Sequence, residues 1–320
     1  MDREQEEMQF LGVFGIFKES YKLIFSWRKI FTNIMLTLIL PLSFIYVAHV
    51  QVSSLFSKKS NTAIYEKPSD LISHNWFYFW LFNAAYFTLS LVFSLLSTAA
   101  VVYTIACIYT ARELSFKKIM SVVPKVWKRL MVTFLSIFVA MFFYLVVGGV
   151  LFLVWAVSVG GIQVVGVAVL IILVILFITG LLYLTTVWHL ASTISVLEDT
   201  YGFAAMVKSQ KLIKGKLGLA ISIFVITSLA SGVNQIAFKS LVVEGTNIGI
   251  VSRFVYAIIC LLLLSTTILY GLVVQTVIYF VCKSYHHENI DKSALSDHLE
   301  VYLLGEYTLL KTKDVQLFHV

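Results

Sequence analysis

The sequence predicts an all-α, polytopic membrane protein: six transmembrane helices in three hairpins, each hairpin preceded by an amphipathic cytosolic interfacial helix. Three observations predict it. The composition is too apolar for a water-covered surface, the charges leave six long apolar stretches, and the basic residues alternate between connecting loops. Of 320 residues, 59% are hydrophobic and 13% charged, with a mean hydropathy of +0.91. A soluble domain carries about 25% charged residues, so this chain has about half the charge that water would require.

A helix needs about 20 apolar residues to cross a hydrocarbon core. The spans expected on that basis are roughly 30–50, 77–110, 130–157, 164–195, 217–238 and 254–282. Between Arg129 and Glu198 no formal charge occurs, which is too long for one crossing and suits two. The break between them is expected at Val159-Gly160-Gly161-Ile162-Gln163, where paired glycines favour a turn. A transmembrane β-barrel would instead show short alternating strands. The domain plan is a cytosolic amphipathic segment at 1–29, the six-helix domain at 30–282 and a cytosolic tail at 283–320.

Orientation follows from the basic residues. Nineteen of the 24 lysines and arginines fall in the N-terminal segment, the second and fourth loops and the tail; five fall in the alternate loops. By the positive-inside rule both termini are cytosolic. Trp27, Trp127 and Trp188 lie near the expected cytosolic ends, and Trp76 and Trp155 near the opposite ends, as an interfacial aromatic belt requires. The acidic opening is unlike a cleavable signal, and the first span is expected to act as a signal anchor. The membrane is expected to be the endoplasmic reticulum or the plasma membrane.

The net charge of +7 would suggest nucleic acid in a soluble protein. Here the cations flank apolar spans, so the lipid bilayer is the expected partner and nucleic acid is not. A membrane-protein partner or a second copy of the chain is also open. Three scattered cysteines make neither a disulfide framework nor a zinc site.

A basic, part-apolar stretch precedes each odd-numbered span. The first runs from Phe10 to Lys29, with Phe10, Leu11, Phe14, Phe17, Tyr21, Ile24 and Phe25 at helical spacing. The second runs from Phe116 to Arg129 and the third from Phe203 to Lys216. Trp27-Arg28-Lys29, Trp127-Lys128-Arg129 and Lys214-Gly215-Lys216 hold equivalent places, which suits either three true repeats or the ordinary charge pattern of an N-in protein. The expected interfacial anchors are Phe14, Phe17, Trp27, Arg28, Lys29, Trp127, Lys128 and Arg129.

Glu198, Gly202, Ala205, Lys208-Ser209, Leu212 and Lys214-Gly215-Lys216 resemble the loop signature of six-span membrane domains that accompany bacterial glycerophosphodiester phosphodiesterases. The opening from Phe10-Leu11-Gly12 to Ile30-Phe31, with the tail around Asp297-His298-Leu299-Glu300-Val301-Tyr302, resembles a plant family of uncharacterised multi-span proteins. These resemblances imply a six-helix fold and membrane residence. They imply no reaction, because the phosphodiesterase barrel is absent from this chain and the plant family has no assigned activity.

Within the spans the polar candidates are Asn83, Asn234, Gln235 and Gln275, which suit either a hydrophilic path or hydrogen bonds between helices. His49 and His189 fall near span ends. Ser90, Ser94 and Thr98, and Ala84 and Thr88, recur at a spacing that permits close helix approach. Cys282, beside Lys283 at the expected cytosolic end of the last span, is a candidate for acylation, with burial as the alternative. No Gly-x-Ser-x-Gly, phosphate-binding loop or His-Glu-x-x-His occurs, and the spacing of His286-His287-Glu288 and His298 fits no standard metal site. A short helix through Leu295, Leu299, Tyr302 and Leu303 is expected in the tail.

The expectation is therefore a non-enzymatic integral membrane protein, without cofactor or metal, that organises a membrane or serves a membrane complex. The alternative is a transporter or channel for an uncharged or lipid-like solute. The charge bias makes a direct prediction. An Asn-x-Thr acceptor inserted between Lys59 and Lys67, or between Glu244 and Gly249, is glycosylated on insertion into microsomes. The same acceptor placed between Arg112 and Lys117, or beside Lys214, stays unmodified; the reverse pattern would invert the topology.

Overall fold

The computed structural model describes residues 8–63, 71–110, 115–158, 163–245 and 249–286, the side chains of 56–63, 71–76 and 163–164 apart. No strand occurs among the described residues, and six helices are long and apolar enough to cross a membrane. They lie within Arg28–Leu55, Phe77–Tyr109, Phe116–Ser158, Val165–Leu197, Leu217–Val243 and Ile250–Tyr285. Four of the six expected spans fall within them, and 77–110 and 164–195 overhang by one residue each. The 159–162 break, the side chain of Trp76, the acidic opening and the tail from 287 onward lie outside the described residues.

In chain order the helices are α1 (Val13–Ser26), α2 (Arg28–Ile34), α3 (Leu40–Ala63), α4 (Leu71–Tyr109), α5 (Phe116–Ser158), α6 (Gln163–Leu197), α7 (Phe203–Leu212), α8 (Leu217–Phe238) and α9 (Ile250–Tyr285). A wide π-turn, Met35–Ile39, joins α2 to α3. Pro41 explains it. Proline has no N–H to give and its ring crowds the carbonyl one turn back, while a π-turn widens the ladder locally, with Leu40 N–H reaching Met35 O instead. A second π-turn, Lys239–Val243, ends the fifth span. There the Arg253 guanidinium donates to the Val242 carbonyl, satisfying a terminal acceptor that the helix leaves open.

The three basic stretches do not share one geometry. The first is cut from its span at Trp27, whose backbone (φ −112°, ψ 32°) leaves the helical region. The third is cut at Gly215, whose φ of +86° suits glycine alone. The second is not cut. α5 runs unbroken for 43 residues, about 64 Å at 1.5 Å per residue. The separate interfacial helix expected before the third span is therefore corrected to a collinear extension of that span. Nothing between Phe116 and Arg129 supplies a left-handed turn, and Pro124 is carried inside the helix.

The chain divides into two compact units. One comprises residues 1–17, 102–224 and 275–320, the other 18–101 and 225–274. In the first, α5 and α6 pair antiparallel and hold each other through reciprocal seats. The Tyr144 hydroxyl donates to Phe177 O at 2.7 Å, and its ring stacks on Phe177. The Trp155 indole N–H donates to Gly166 O at 2.9 Å. Gly148 lies under the Phe177 ring and Gly180 under Tyr144, so each helix gives up a side chain where the other inserts an aromatic. Without a hydrophobic drive between helices in lipid, such close packing and interhelical hydrogen bonds carry the association. Outside this seam the pair is apolar and open. Of their most apolar stretches α5 and α6 bury only 11% and 6%, against 67% for α4.

In the second unit, Val47 and Val50 of α3 pack against Phe238, Val243 and Cys260. Ser90 and Thr98 of α4 are buried, whereas Ala84 and Thr88 of the companion small-residue row are exposed. Thr88 turns its hydroxyl back to Ala84 O.

A Cβ at Gly148 would stand 2.5 Å from the Phe177 ring, while one at Gly149 would meet nothing within 4 Å. Gly148→Val is expected to lose about 1–3 kcal/mol to overpacking, and Gly149→Val to be close to neutral. The midpoint of thermal unfolding in detergent separates the two; equal midpoints would remove the seat from the account of this hairpin.

Candidate functional site

Two polar constellations stand out in the first unit, one inside the span and one at its end. Within α6, His189, Ser192 and Thr193 share a face by their i, i+3, i+4 spacing. Gln275 of α9 meets them there. Its Nε2 lies 2.6 Å from His189 O, 2.9 Å from Ser192 Oγ and 3.1 Å from Thr193 Oγ1, and its Oε1 accepts from His189 Nδ1–H at 3.1 Å. The His189 ring stacks on Phe224 at 4.6 Å. Gln275 is 3% exposed and both ends of its amide are engaged. Of the two expectations for it, the structure matches helix-to-helix hydrogen bonding.

At the end of α6, Glu198 collects three partners from two other elements. Lys208 Nζ of α7 lies 2.6 Å from Oε2. From α9, Lys283 Nζ lies 3.0 Å from Oε1 and the Tyr279 hydroxyl donates to Oε1 at 2.7 Å. Tyr279 and Lys283 are four residues apart and present one face. Burial by itself raises the Glu198 carboxyl. The Lys208 hydrogen bond, the Lys283 charge and the Tyr279 and Lys283 hydrogen bonds outweigh it and hold the group below its ordinary value of 4.5.

The turn that follows is fixed by backbone chemistry. Gly202, at φ +65°, gives its N–H to Thr133 Oγ1 of α5 at 2.8 Å, and that oxygen lies 2.7 Å from Ser195 Oγ. Arg129 reaches Asp199 at 2.8 Å. Buried Ser209 donates to Val187 O at 2.9 Å, which seats α7 on α6. Beyond α7, Gly215 lies beneath the Tyr285 ring, where a Cβ would come within 2.5 Å. Lys216 stands 5.0 Å over that ring, and His286 meets Lys214 O at 3.0 Å. Lys208, Ser209 and the Lys214–Lys216 turn thus tie α7 and the segment after it to α6 and the end of α9.

The second unit holds the other polar candidates. Asn83 accepts from His49 Nε2–H at 3.2 Å and donates to Phe79 O at 2.8 Å. His49 lies stacked on Tyr86 at 3.8 Å and beside Phe82. Asn234 donates to Cys260 O at 3.1 Å. Asn234 and the exposed Gln235 border a narrow crevice of about 10 Å³, room for about one water, with Tyr46, Val47, Val50, Phe238, Cys260 and Leu264. Asn83 is not among the residues that line this crevice.

Among the anchors, Phe14, Trp27, Arg28, Lys29 and Lys128 are exposed. Phe17 and Trp127 are half-buried, and Arg129 is engaged with Asp199. The Cys282 side chain is fully buried, which matches the burial alternative and withholds the thiol from acylation in this conformation. Sequence reasoning missed the partnership of Glu198 with Tyr279 and Lys283. Two signals for it were present: Glu198 is the first charge after the long neutral run, and the i, i+4 Tyr–Lys pair ends the last span.

The fold defines a polytopic helical membrane protein with six candidate spans. The chain belongs to the family described as a domain of unknown function, DUF8558, which matches it over residues 1–320. No curated protein and no solved structure matches it.

Because the folded Glu198 carboxyl titrates below its unfolded value, its stabilisation is complete above about pH 4.5 and is lost as pH falls through the lowered value. Glu198→Gln leaves Lys208 and Lys283 without a counter-charge and is expected to cost about 2–3 kcal/mol near neutral pH, with the difference from wild type shrinking as pH drops through that window. Thermal unfolding read by intrinsic tryptophan fluorescence checks this across the whole pH range, the chain having six tryptophans. A difference independent of pH would contradict the charge-based account.

Proposed function

We propose that this chain is a non-enzymatic membrane protein that organises a membrane or serves as an accessory subunit of a membrane complex, with both termini cytosolic, in the endoplasmic reticulum or plasma membrane. The observation that carries the reading is the α5–α6 hairpin, which is sealed along one seam and turns Phe138, Phe142, Phe143, Leu151 and Leu153 outward. An outward apolar face of this length suits contact with lipid or with another membrane protein. The use of Asn83, Asn234 and Gln275 in helix-to-helix hydrogen bonds supports the same reading, since those groups are occupied rather than offered to a solute. Three hairpins, with α1 and α7 as interfacial elements, complete the proposed arrangement.

A second reading, a transporter or channel for an uncharged or lipid-like solute, is favoured by the crevice beside Asn234 and Gln235. The kinships to the plant multi-span family and to the phosphodiesterase-linked membrane domains are proposals of the same standing.

Purification of the full-length protein from native membranes in mild detergent tests the choice. The expected result is a stoichiometric protein partner that is lost when Phe142, Phe143 and Leu151 are changed to Ala, while the unfolding midpoint is kept. A preparation without a partner that drives uptake of an uncharged solute into proteoliposomes, abolished by Asn234→Leu, would replace this reading by the transporter.

A further inference from the structure

The three basic stretches look alike as sequences but present different surfaces. In the extension of α5, Ile119, Val122, Val123 and Val126 are buried while Lys117, Lys118, Ser121, Lys125 and Lys128 face out. That is an ordinary solvated face over a packed one. α1 differs. Its packed face is Ile16, Ser20 and Leu23, yet its outward face is also apolar: Phe14 is 89% exposed, Tyr21 62% and Phe25 61%, with Phe10 at 80% just before the helix. Spaced seven and four residues apart, Phe14, Tyr21 and Phe25 form one stripe along the helix, with Phe10 in the turn before it. Lys18 and Lys22 are exposed within it, and Arg28 and Lys29 follow at the start of α2. Over residues 8–29 the only acid is Glu19, for a net charge of +3, while the seven positions before them carry Asp2, Glu4, Glu6 and Glu7 against Arg3.

We infer that α1 is a lipid-reading helix, whose Phe14–Tyr21–Phe25 stripe inserts into the leaflet at the end of the first span and whose cations select anionic headgroups. Three facts fix the occupant as a lipid surface. The stripe is one Trp27 joint away from the first span, so the chain itself holds α1 next to a membrane-crossing helix. Aromatic rings with flanking lysines are the side chains that settle at the headgroup boundary. The net positive charge complements anionic lipid, each cation near such a surface adding to the attraction. The inference rests on the proposed placement of this segment at the membrane, and not on the organising role: lipid selection by α1 holds or fails whether or not a protein partner is found.

The test uses the full-length protein in nanodiscs of phosphatidylcholine with 20% phosphatidylserine, doped with diazirine-bearing phosphatidylserine or phosphatidylcholine. Mass spectrometry then reads the peptides labelled after illumination. Labelling of residues 8–29 by the phosphatidylserine probe is expected to exceed that by the phosphatidylcholine probe at least fivefold. Changing Lys18, Lys22, Arg28 and Lys29 to Gln should abolish the preference but keep labelling. Phe14→Ser with Phe25→Ser should lose the labelling of this segment while labelling of Phe138–Leu153, an internal check on folding, persists. Equal labelling by both probes would overturn the anionic selection. Absence of label at residues 8–29, with protein–protein cross-links in its place, would overturn the lipid surface altogether and assign the stripe to a second copy or a partner.

Discussion

The first unit depends on one carboxylate. Glu198 ends a neutral run that crosses the membrane twice, and it is the point where α6, α7 and α9 are tied together. Two lysines and a tyrosine facing it would each be costly to hold near the bilayer without a counter-charge, and together they overcome the carboxylate's own cost of burial. Around that charge, besides the exposed Arg129–Asp199 pair, lie neutral hydrogen bonds: Gly202 N–H on Thr133, Ser209 on Val187, His286 on Lys214. The strong interaction sets which helices meet, and the weak ones set the register in which they do.

A membrane removes the driving force that assembles a soluble core, since lipid tails solvate leucine as well as another helix does. The protein's use of small and polar residues follows from this. Gly148 and Gly180 make room for Phe177 and Tyr144, and the tyrosine hydroxyl spends its hydrogen bond on the opposing backbone. Gln275, Asn83 and Asn234 do the same with carbonyls and histidines. The large apolar residues are then free to face outward, which is why α5 and α6 can be so open and still paired.

The six spans could be read in the sequence because hydrophobic length is a one-dimensional property: a crossing needs a fixed number of uncharged residues, and the charges of this chain are grouped at the ends. What a polar residue does inside a span could not be read so directly. Gln275 and Gln235 are chemically equivalent and both lie in apolar runs, but one is buried with its amide fully engaged and the other is exposed beside a crevice. The difference lies in which residues of other helices arrive opposite them, some 80 positions away in the case of Gln275. Likewise, nothing beside Arg129 in the sequence marks its pairing with Asp199, which lies 70 positions away just past the end of α6.

By itself, the sequence determined that the chain is a helical membrane protein of six spans, and it supplied the grouping of charge from which orientation is inferred; both are sums over neighbouring residues and require no partner. Tertiary structure decided the rest. It made one basic stretch a rigid continuation of its span, because no residue there adopts the backbone angles that break the others at Trp27 and Gly215. It also decided which face of α1 is packed and which is left open, since a helix that is apolar on both sides carries no internal mark of the side its neighbours will cover.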